Sequence, residues 1–301
     1  MKTHLITVRE LGDDPRLDKV IPLHVESLSR SLVRKLIENG SVYVNQKRCS
    51  KNARSMRVGD KIKIVVAAET REHSYELNAE QIIYEDADII VLNKPPFLPT
   101  HATLDAKRHH LAESVQIYLG KKSGRDPKNV YLGMHHRLDR DTSGVILFTK
   151  RKELNAPIAQ AFQGRDLEKT YLAVSKGKPQ QETFIIKNYL GPNPRDKKLM
   201  CSVTREGKFA ETHFRALHTL QKENESITLF EAQPKTGRTH QIRVHLSEAG
   251  YPILGDSYYG TSFPGVERML LHAWKLKILD KTFLAPLPRD FLKLDFQEPQ
   301  A

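Results

Sequence analysis

Apolar positions along the chain change rhythm several times, and each change marks an element. In ESLSRSLVRKLIENG (26–40), Leu28, Leu32, Leu36 and Ile37 recur at helical intervals, with Arg30, Arg34 and Lys35 on or beside the other side. Ser27 or Ser29 supplies the N-cap and Asn39-Gly40 the stop. SVYVNQKR (41–48) alternates Val42 and Val44 against polar neighbours. RVGDKIKIVV (57–66) enters a second strand through a Gly59-Asp60 turn. Further on, IIYEDADIIVLNKPP (82–96) reads as two strands across an acidic turn. Leu111, Val115, Tyr118 and Leu119 fall at helical spacing, and GVILFTK (144–150) is apolar enough for a buried strand. RKELNAPIAQAFQG (151–164) predicts a helix stopped by Gly164, and EKTYLAVSKG (168–177) and ESITLFEAQP (225–234) predict strands. GRTHQIRVHLSEAG (237–250) starts in a turn and continues as a helix to Gly250.

Strands and helices mix here without a regular βαβ alternation, which predicts an α+β fold with a mixed, mainly antiparallel central sheet. The stretch AAETREHSYELNAEQ (67–81) is polar and aperiodic. It divides the expectation into a small N-terminal α/β unit at 1–70, a linker at 71–81 and a larger domain at 82–301, as the length of 301 residues favours.

Charge narrows the choice of partner. The chain carries 48 Lys and Arg against 36 Asp and Glu, a formal +12. Residues 1–70 hold 14 of the basic and 8 of the acidic groups, half of that excess in under a quarter of the chain. Such an excess gathers near polyanions, with nucleic acid ahead of an anionic membrane surface. Two cysteines, Cys49 and Cys201, allow neither a disulfide framework nor a cysteine-rich zinc site, and they fit a reducing cytosol. The N-terminal MKTHLITVRE lacks the apolar core of a signal peptide, and the apolar runs are strand-length, so a membrane span is not expected.

Candidate chemistry concentrates in two places. In HHRLDRDTSGVILFTK (135–150), Asp139 lies among His135, His136, Arg137 and Arg140, and positive neighbours favour an ionised carboxylate. That suits a nucleophile or an electrostatic stabiliser better than a general acid. Asp141, beyond Arg140, is expected to cap the turn through Thr142 or Ser143. In TGRTHQIRVHL (236–246), a helix from about Thr239 sets Thr239, Arg243 and Leu246 on one side. An arginine arriving from this distant segment can meet Asp139 and keep it ionised. His240 and His245 are five apart, a poor fit to a helical metal pair. Alone, the first cluster reads more readily as a loop of mutually neutralising charges, and the second as a solvated helix start.

Taken in order, the motifs carry more. RLDKVIP (16–22), SRSLVRKLIENGSVYVN (29–45) and VGDKIKI (58–64) resemble the S-four-like RNA-binding domain over roughly residues 14–68. That resemblance implies an RNA-facing surface with Arg30, Arg34 and Lys35, and makes Asp18 a residue that orients or packs a helix. HRLDRDTSGVILFTK, EKTYLAV, TGRTHQIRVHL, GYPILGDSYYG and LLHAWKL, in one order from Ile82 to Phe291, resemble the RluA-type pseudouridine synthases, which isomerise uridine in ribosomal or transfer RNA. The resemblance implies that Asp139 is the catalytic residue, Arg243 its ion-pair partner, and Tyr171 a stacking residue that assists proton removal from C5. Arg137 would fill the place vacated by the flipped nucleotide, and Leu246 or Ile242 would wall the base. His136, Arg238 and His240 would lie on the substrate side of the same motifs. Neither cofactor nor metal is implied, and a cytoplasmic monomer is the default. An S-four-like domain ahead of this catalytic type points to large-subunit ribosomal RNA, with transfer RNA the alternative. Two rival classes are a metal-dependent hydrolase built on His135, His136, Asp139 and His240, and a non-catalytic RNA-binding protein. One departure stands out: in NKPPFLPTH (93–101), Phe97 occupies the usual glycine position of the family's Lys-Pro-x-Gly.

Overall fold

In a computed structural model the chain divides into two compact units, one taking in the chain up to Tyr75, the other Glu76–His101 and the chain from His110 onward. The structure describes residues 2–26, 28–38, 40–66, 75–102, 109–164, 167–197, 199–278 and 280–299.

The first unit lays two helices, α1 (Leu17–His24) and α2 (Arg30–Glu38), against an antiparallel sheet. Its strands are β1 (Lys2–Thr7), β2 (Val42–Val44), β3 (Lys47–Arg48) and β4 (Lys61–Val66), in the order β1-β4-β2-β3. Leu17, Val20 and Ile21 from α1 meet Val33, Leu36 and Ile37 from α2 over Val42, Val44, Ile62 and Ile64. The expected apolar face of α2 is therefore shifted. Leu32 is exposed and Val33 is buried, because the helix starts only at Arg30 and Leu28 packs from before its first turn. Ser29 accepts a hydrogen bond from the Leu32 amide at 3.3 Å and caps α2. Ser27 and Asn39, the other two residues expected to bound it, lie outside the described residues, as does the Lys35 side chain.

Asp18 explains the first RLD tripeptide. Its fully buried carboxylate accepts from Arg16 Nε at 3.0 Å, from Arg30 Nη2 at 3.2 Å and from Arg34 Nε at 2.8 Å. Burial opposes its charge, yet the Arg16, Arg34 and Arg30 hydrogen bonds prevail and bring it to about 2. Asp18 thus ties both helices together through the two arginines expected to face RNA.

Of the expected linker, residues 71–74 lie outside the described residues. Residues 78–81 fold into a short 3-10 turn, Ala79–Gln81, closed by a capping box between Asn78 and Gln81.

The second unit is built on one large sheet. Its strands are β5 (Ile82–Glu85), β6 (Ile89–Lys94), β7 (Gly133–Met134), β8 (Ser143–Thr149), β9 (Glu168–Lys176), β10 (Thr183–Pro192), β11 (Met200–Ser202), β12 (Lys208–Lys222), β13 (Glu225–Pro234), β14 (Leu271–Ile278) and β15 (Lys281–Leu284). They run in the order β11-β10-β12-β13-β9-β14-β8-β6-β5, with β15 on β14 and β7 on β8. Pairing is antiparallel except between β14 and β8, where His272 faces Ser143 and Ala273 faces Gly144. Among the described residues four α-helices complete the unit: α3 (Leu111–Ser123), α4 (Asn155–Gln163), α5 (Gln241–Glu248) and α6 (Arg289–Leu292). Alternation along β9 sends Ala173 toward Ile242 and Leu246 of α5, and Leu172 and Val174 toward Trp274, Phe291 and Phe296 on the other face. Among the described residues no helix is long and apolar enough to cross a membrane.

The parallel pair depends on one glycine. Gly144 has φ +115°, and a Cβ there would lie 2.1 Å from the Ala273 carbonyl oxygen and 2.7 Å from its nitrogen. Only a bare backbone lets β8 approach β14 so closely, and this contact anchors the segment that carries Asp139.

Candidate active site

Asp139 sits just before β8, and its neighbours on both sides are clamped. Buried Thr100 donates its hydroxyl to the Leu138 carbonyl at 2.8 Å and accepts from the Leu138 amide at 3.2 Å. Lys94, fully buried at the end of β6, donates Nζ to the carbonyls of Pro95 (2.8 Å), Leu98 (2.9 Å) and Arg140 (3.0 Å). Burial lowers that ammonium to about 7, against the pull of Asp141 and Asp139. The Thr142 amide closes the turn on the Asp139 carbonyl at 3.2 Å. Phe97, in the loop that Lys94 holds, adopts φ +66° with an exposed ring, a left-handed backbone conformation that favours glycine.

The carboxylate of Asp139, 24 % exposed, accepts from Arg243 Nη1 at 2.9 Å. Arg243 arrives from the first turn of α5 and is itself buried. Its other edge is held by Asp256, to which Nε and Nη2 donate at 2.7 and 2.8 Å. Burial works against the guanidinium charge, but Asp256 first and Asp139 second raise Arg243 well above its ordinary range. The guanidinium also lies over the rings of Tyr259 and Tyr258, 5.0 and 5.6 Å from their centroids. Asp256 has no exposed side-chain surface and accepts further from the amides of Tyr258 and Tyr259. Against the cost of burial, these donors keep it below the usual carboxylate range.

A cavity of about 560 Å³ opens beside this pair. Tyr171 of β9 lines it, packed against Ile242, and burial followed by the charge of Asp139 raises its phenol above the ordinary range. Tyr171 is therefore a neutral phenol at neutral pH. Arg137 lines the cavity with an exposed side chain that makes no hydrogen bond or ion pair among the described residues. His240 precedes α5 with φ +56°; its Nδ1 lies 2.8 Å from the Tyr259 hydroxyl and its Nε2 3.8 Å from Asp139 Oδ2. Burial lowers its imidazole despite that carboxylate. Arg238 donates Nε to the Phe209 carbonyl at 2.8 Å.

His136 accepts from the Leu147 amide at Nε2, 3.0 Å, and stacks on Phe162; burial, then the charge of Lys169, lowers it to about 3. It is a neutral imidazole fixed by β8. His135 turns instead to Thr149, 3.1 Å from its hydroxyl, so the two histidines and Asp139 do not converge on one point.

Several expectations need correction. Asp141 does not cap the turn: it accepts from Arg140 Nε and Nη2 at 2.8 and 3.1 Å, because the neighbouring guanidinium reaches it first. Thr239 lies outside the helix, which begins at Gln241. Leu246 is fully buried behind the cavity, so Ile242 alone of that pair lines it. Sequence reasoning missed Asp256 as the partner of Arg243; the available signal was a lone carboxylate within GYPILGDSYYG. It also passed over Lys94 and Lys169.

Comparisons with known proteins give the family. Residues 88–248 match the RNA pseudouridylate synthase family and residues 15–62 match the S4 domain. The "uncharacterized RNA pseudouridine synthase" of Aquifex aeolicus is 32% identical over 96% of this chain and 92% of its own. The ribosomal large subunit pseudouridine synthase C of Escherichia coli K12 is 32% identical over 92% of this chain and 88% of its own. Among solved structures, human RNA pseudouridylate synthase domain containing 4 is 25% identical, with a TM-score of 0.59 over 73% of this chain and 95% of that one. The chain belongs to the RluA-type RNA pseudouridylate synthases and carries an S4 domain ahead of the catalytic region. It is an isomerase that acts on uridine in RNA.

Proposed function

We propose that the substrate is large-subunit ribosomal RNA and that Asp139 performs the isomerisation on a uridine flipped out of the RNA. The observation that carries the mechanism is the divided hold on Arg243: Asp256 fixes two of its nitrogens, and the third donates to Asp139 at the cavity. An S4 domain and relatives named for the large ribosomal subunit support the choice of RNA.

In this reading the N-terminal unit (1–70) grips structured RNA through Arg30, Arg34 and Lys35, and residues 71–81 link it to the catalytic domain (82–301). Flipping a base costs a few kcal/mol. Arg137 enters the vacated stack and Tyr171 stacks on the uracil to offset that cost. Asp139 then acts at the sugar, as nucleophile or base, while the N1–C1′ bond breaks. The detached uracil, carrying the bonding pair at N1, turns within the cavity beside Ile242; C5 then bonds to C1′, displacing any bond Asp139 had made there, and the proton lost from C5 is balanced by the one N1 takes up. A neutral Tyr171 is suited to stacking, and as tyrosinate it is too scarce to remove that proton unaided. Every atom of the substrate is retained, so neither redox cofactor nor hydrolytic water enters the balance.

The test is to map pseudouridines in ribosomal and transfer RNA from cells with and without the gene. Loss of one or more large-subunit sites, restored by wild type and not by Asp139→Asn, is expected. Losses confined to transfer RNA would overturn the choice of substrate.

A further inference from the structure

Lys169 is a charged group in the cavity to which the mechanism gives no task. It lies two residues before Tyr171 on β9, so both side chains leave the same face of the strand, and both line the cavity. Its ammonium makes no hydrogen bond or ion pair among the described residues. The turn opposite it is open: a Cβ built on Gly237 would lie 3.9 Å from Lys169 Nζ, with no other heavy atom within 4 Å. Burial pushes the ammonium below the ordinary lysine range, and among the described residues no carboxylate offsets this.

The charge of the lining is lopsided. Among the described residues Arg137, Lys169, Arg238 and Arg243 face the cavity against one carboxylate, Asp139. Arg243 is held by Asp256 and Asp139 on all three nitrogens, and Arg238 gives its Nε to the Phe209 carbonyl. Among these Lys169 is the partly buried cation whose charged group has no hydrogen-bond or ion-pair partner among the described residues. Desolvating a cation without an anion is costly, and folded proteins tolerate it where a ligand supplies the missing charge.

We propose that Lys169 binds a backbone phosphate of the flipped nucleotide, and so fixes the ribose with C1′ at Asp139 and the base against Tyr171. A phosphate supplies the full negative charge and several acceptor oxygens that a compact ammonium can use. A uracil carbonyl supplies one neutral acceptor and leaves the charge uncompensated. This assignment rests on the substrate reading above and deepens it.

The experiment compares full-length wild type, Lys169→Met, Lys169→Gln and Lys169→Arg on a large-subunit ribosomal RNA transcript. Steady-state turnover, RNA binding across a salt series and thermal melting are measured. Lys169→Met, which keeps the aliphatic stem, should raise KM about tenfold or more, with a smaller fall in kcat. Its slope of log affinity against log salt should shrink by about one. The free protein should melt no lower than wild type, since an uncompensated charge has been removed. Lys169→Arg should recover most of the KM and the salt slope. Unchanged KM and salt slope in both Met and Gln variants would overturn the assignment. So would a fall in kcat at unchanged salt slope, which marks a base contact, or a lower melting temperature, which marks a structural role. Because the salt slope is read on binding as well as turnover, it tests Lys169 separately from the substrate. A wild-type enzyme that binds this RNA without forming pseudouridine would count against the substrate reading instead.

Discussion

Asp256 grips Arg243 through Nε and Nη2, at 2.7 and 2.8 Å, and leaves Nη1 to face Asp139. The orientation of the Asp139 partner is thus set by a residue that does not itself line the cavity. Asp256→Asn should keep the shape but weaken the hold, cutting kcat by about 100-fold, the cost typical of a misplaced reacting group. Asp256→Ala should also destabilise the enzyme by about 3–5 kcal/mol, because the buried guanidinium loses its main counter-charge. Chemical denaturation and single-turnover assays on both variants test this, and an Asp256→Asn enzyme with wild-type kcat would contradict it.

The two aspartates around Arg140 should separate cleanly. Asp139→Asn is expected to lower turnover by about 10³-fold or more while RNA binding persists. Asp141 is paired with the half-exposed Arg140, so Asp141→Asn should cost about 1 kcal/mol or less. Activity and filter-binding measurements on the pair decide it; the reverse pattern would move the site to Asp141.

Phe97 offers a test of strain. A non-glycine residue at φ +66° costs roughly 1–2 kcal/mol, partly offset in Phe97→Gly by the freer unfolded chain. A net gain of about 0.5–1 kcal/mol is expected, seen as a higher melting temperature. A lower melting temperature would show that the Phe97 ring supplies more than its backbone costs.

Acid should loosen the catalytic unit before its carboxylates titrate. Burial holds His136 at about 3, and His245 and His272 at about 4. All three lie below the ordinary histidine value of about 6.5. Between about 6.5 and 4 the unfolded chain binds protons that the folded chain refuses, so the stability present above 6.5 is lost as pH falls. Melting temperatures should decline over that interval, while the NMR signals of these imidazoles stay neutral down to pH 5. Titration of any of them near 6.5 would remove its contribution.

Much of the site was readable because Asp139 and Arg243 each head a compact motif with its own local order. Charge allowed their meeting across 104 residues, and the family resemblance of the two motifs implied it. Asp256 was not, because its role depends on burial and on a turn in which Gly255 adopts φ +72°. The partner of Asp141 turned on which donor stands nearer, a choice that spacing does not encode. In the fold, the strands around GVILFTK and ESITLFEAQP were plain from their apolar runs. The phase of α2 slipped from Leu32 to Val33 because Leu28, an apolar residue outside the helix, was counted into its period.

The arginines around Asp18 have a consequence for how RNA is met. Arg30 and Arg34, each about half exposed, are already drawn to a buried carboxylate in the free protein. Holding a long side chain in one conformation at an interface costs about 0.5–1.5 kcal/mol on binding. Here that ordering is accomplished when the chain folds. The surface gives up some positive potential to the carboxylate beneath it and gains a fixed pair of planar donors; in the proposed RNA-binding role such a pair answers to the shape of a phosphate backbone as well as to its charge.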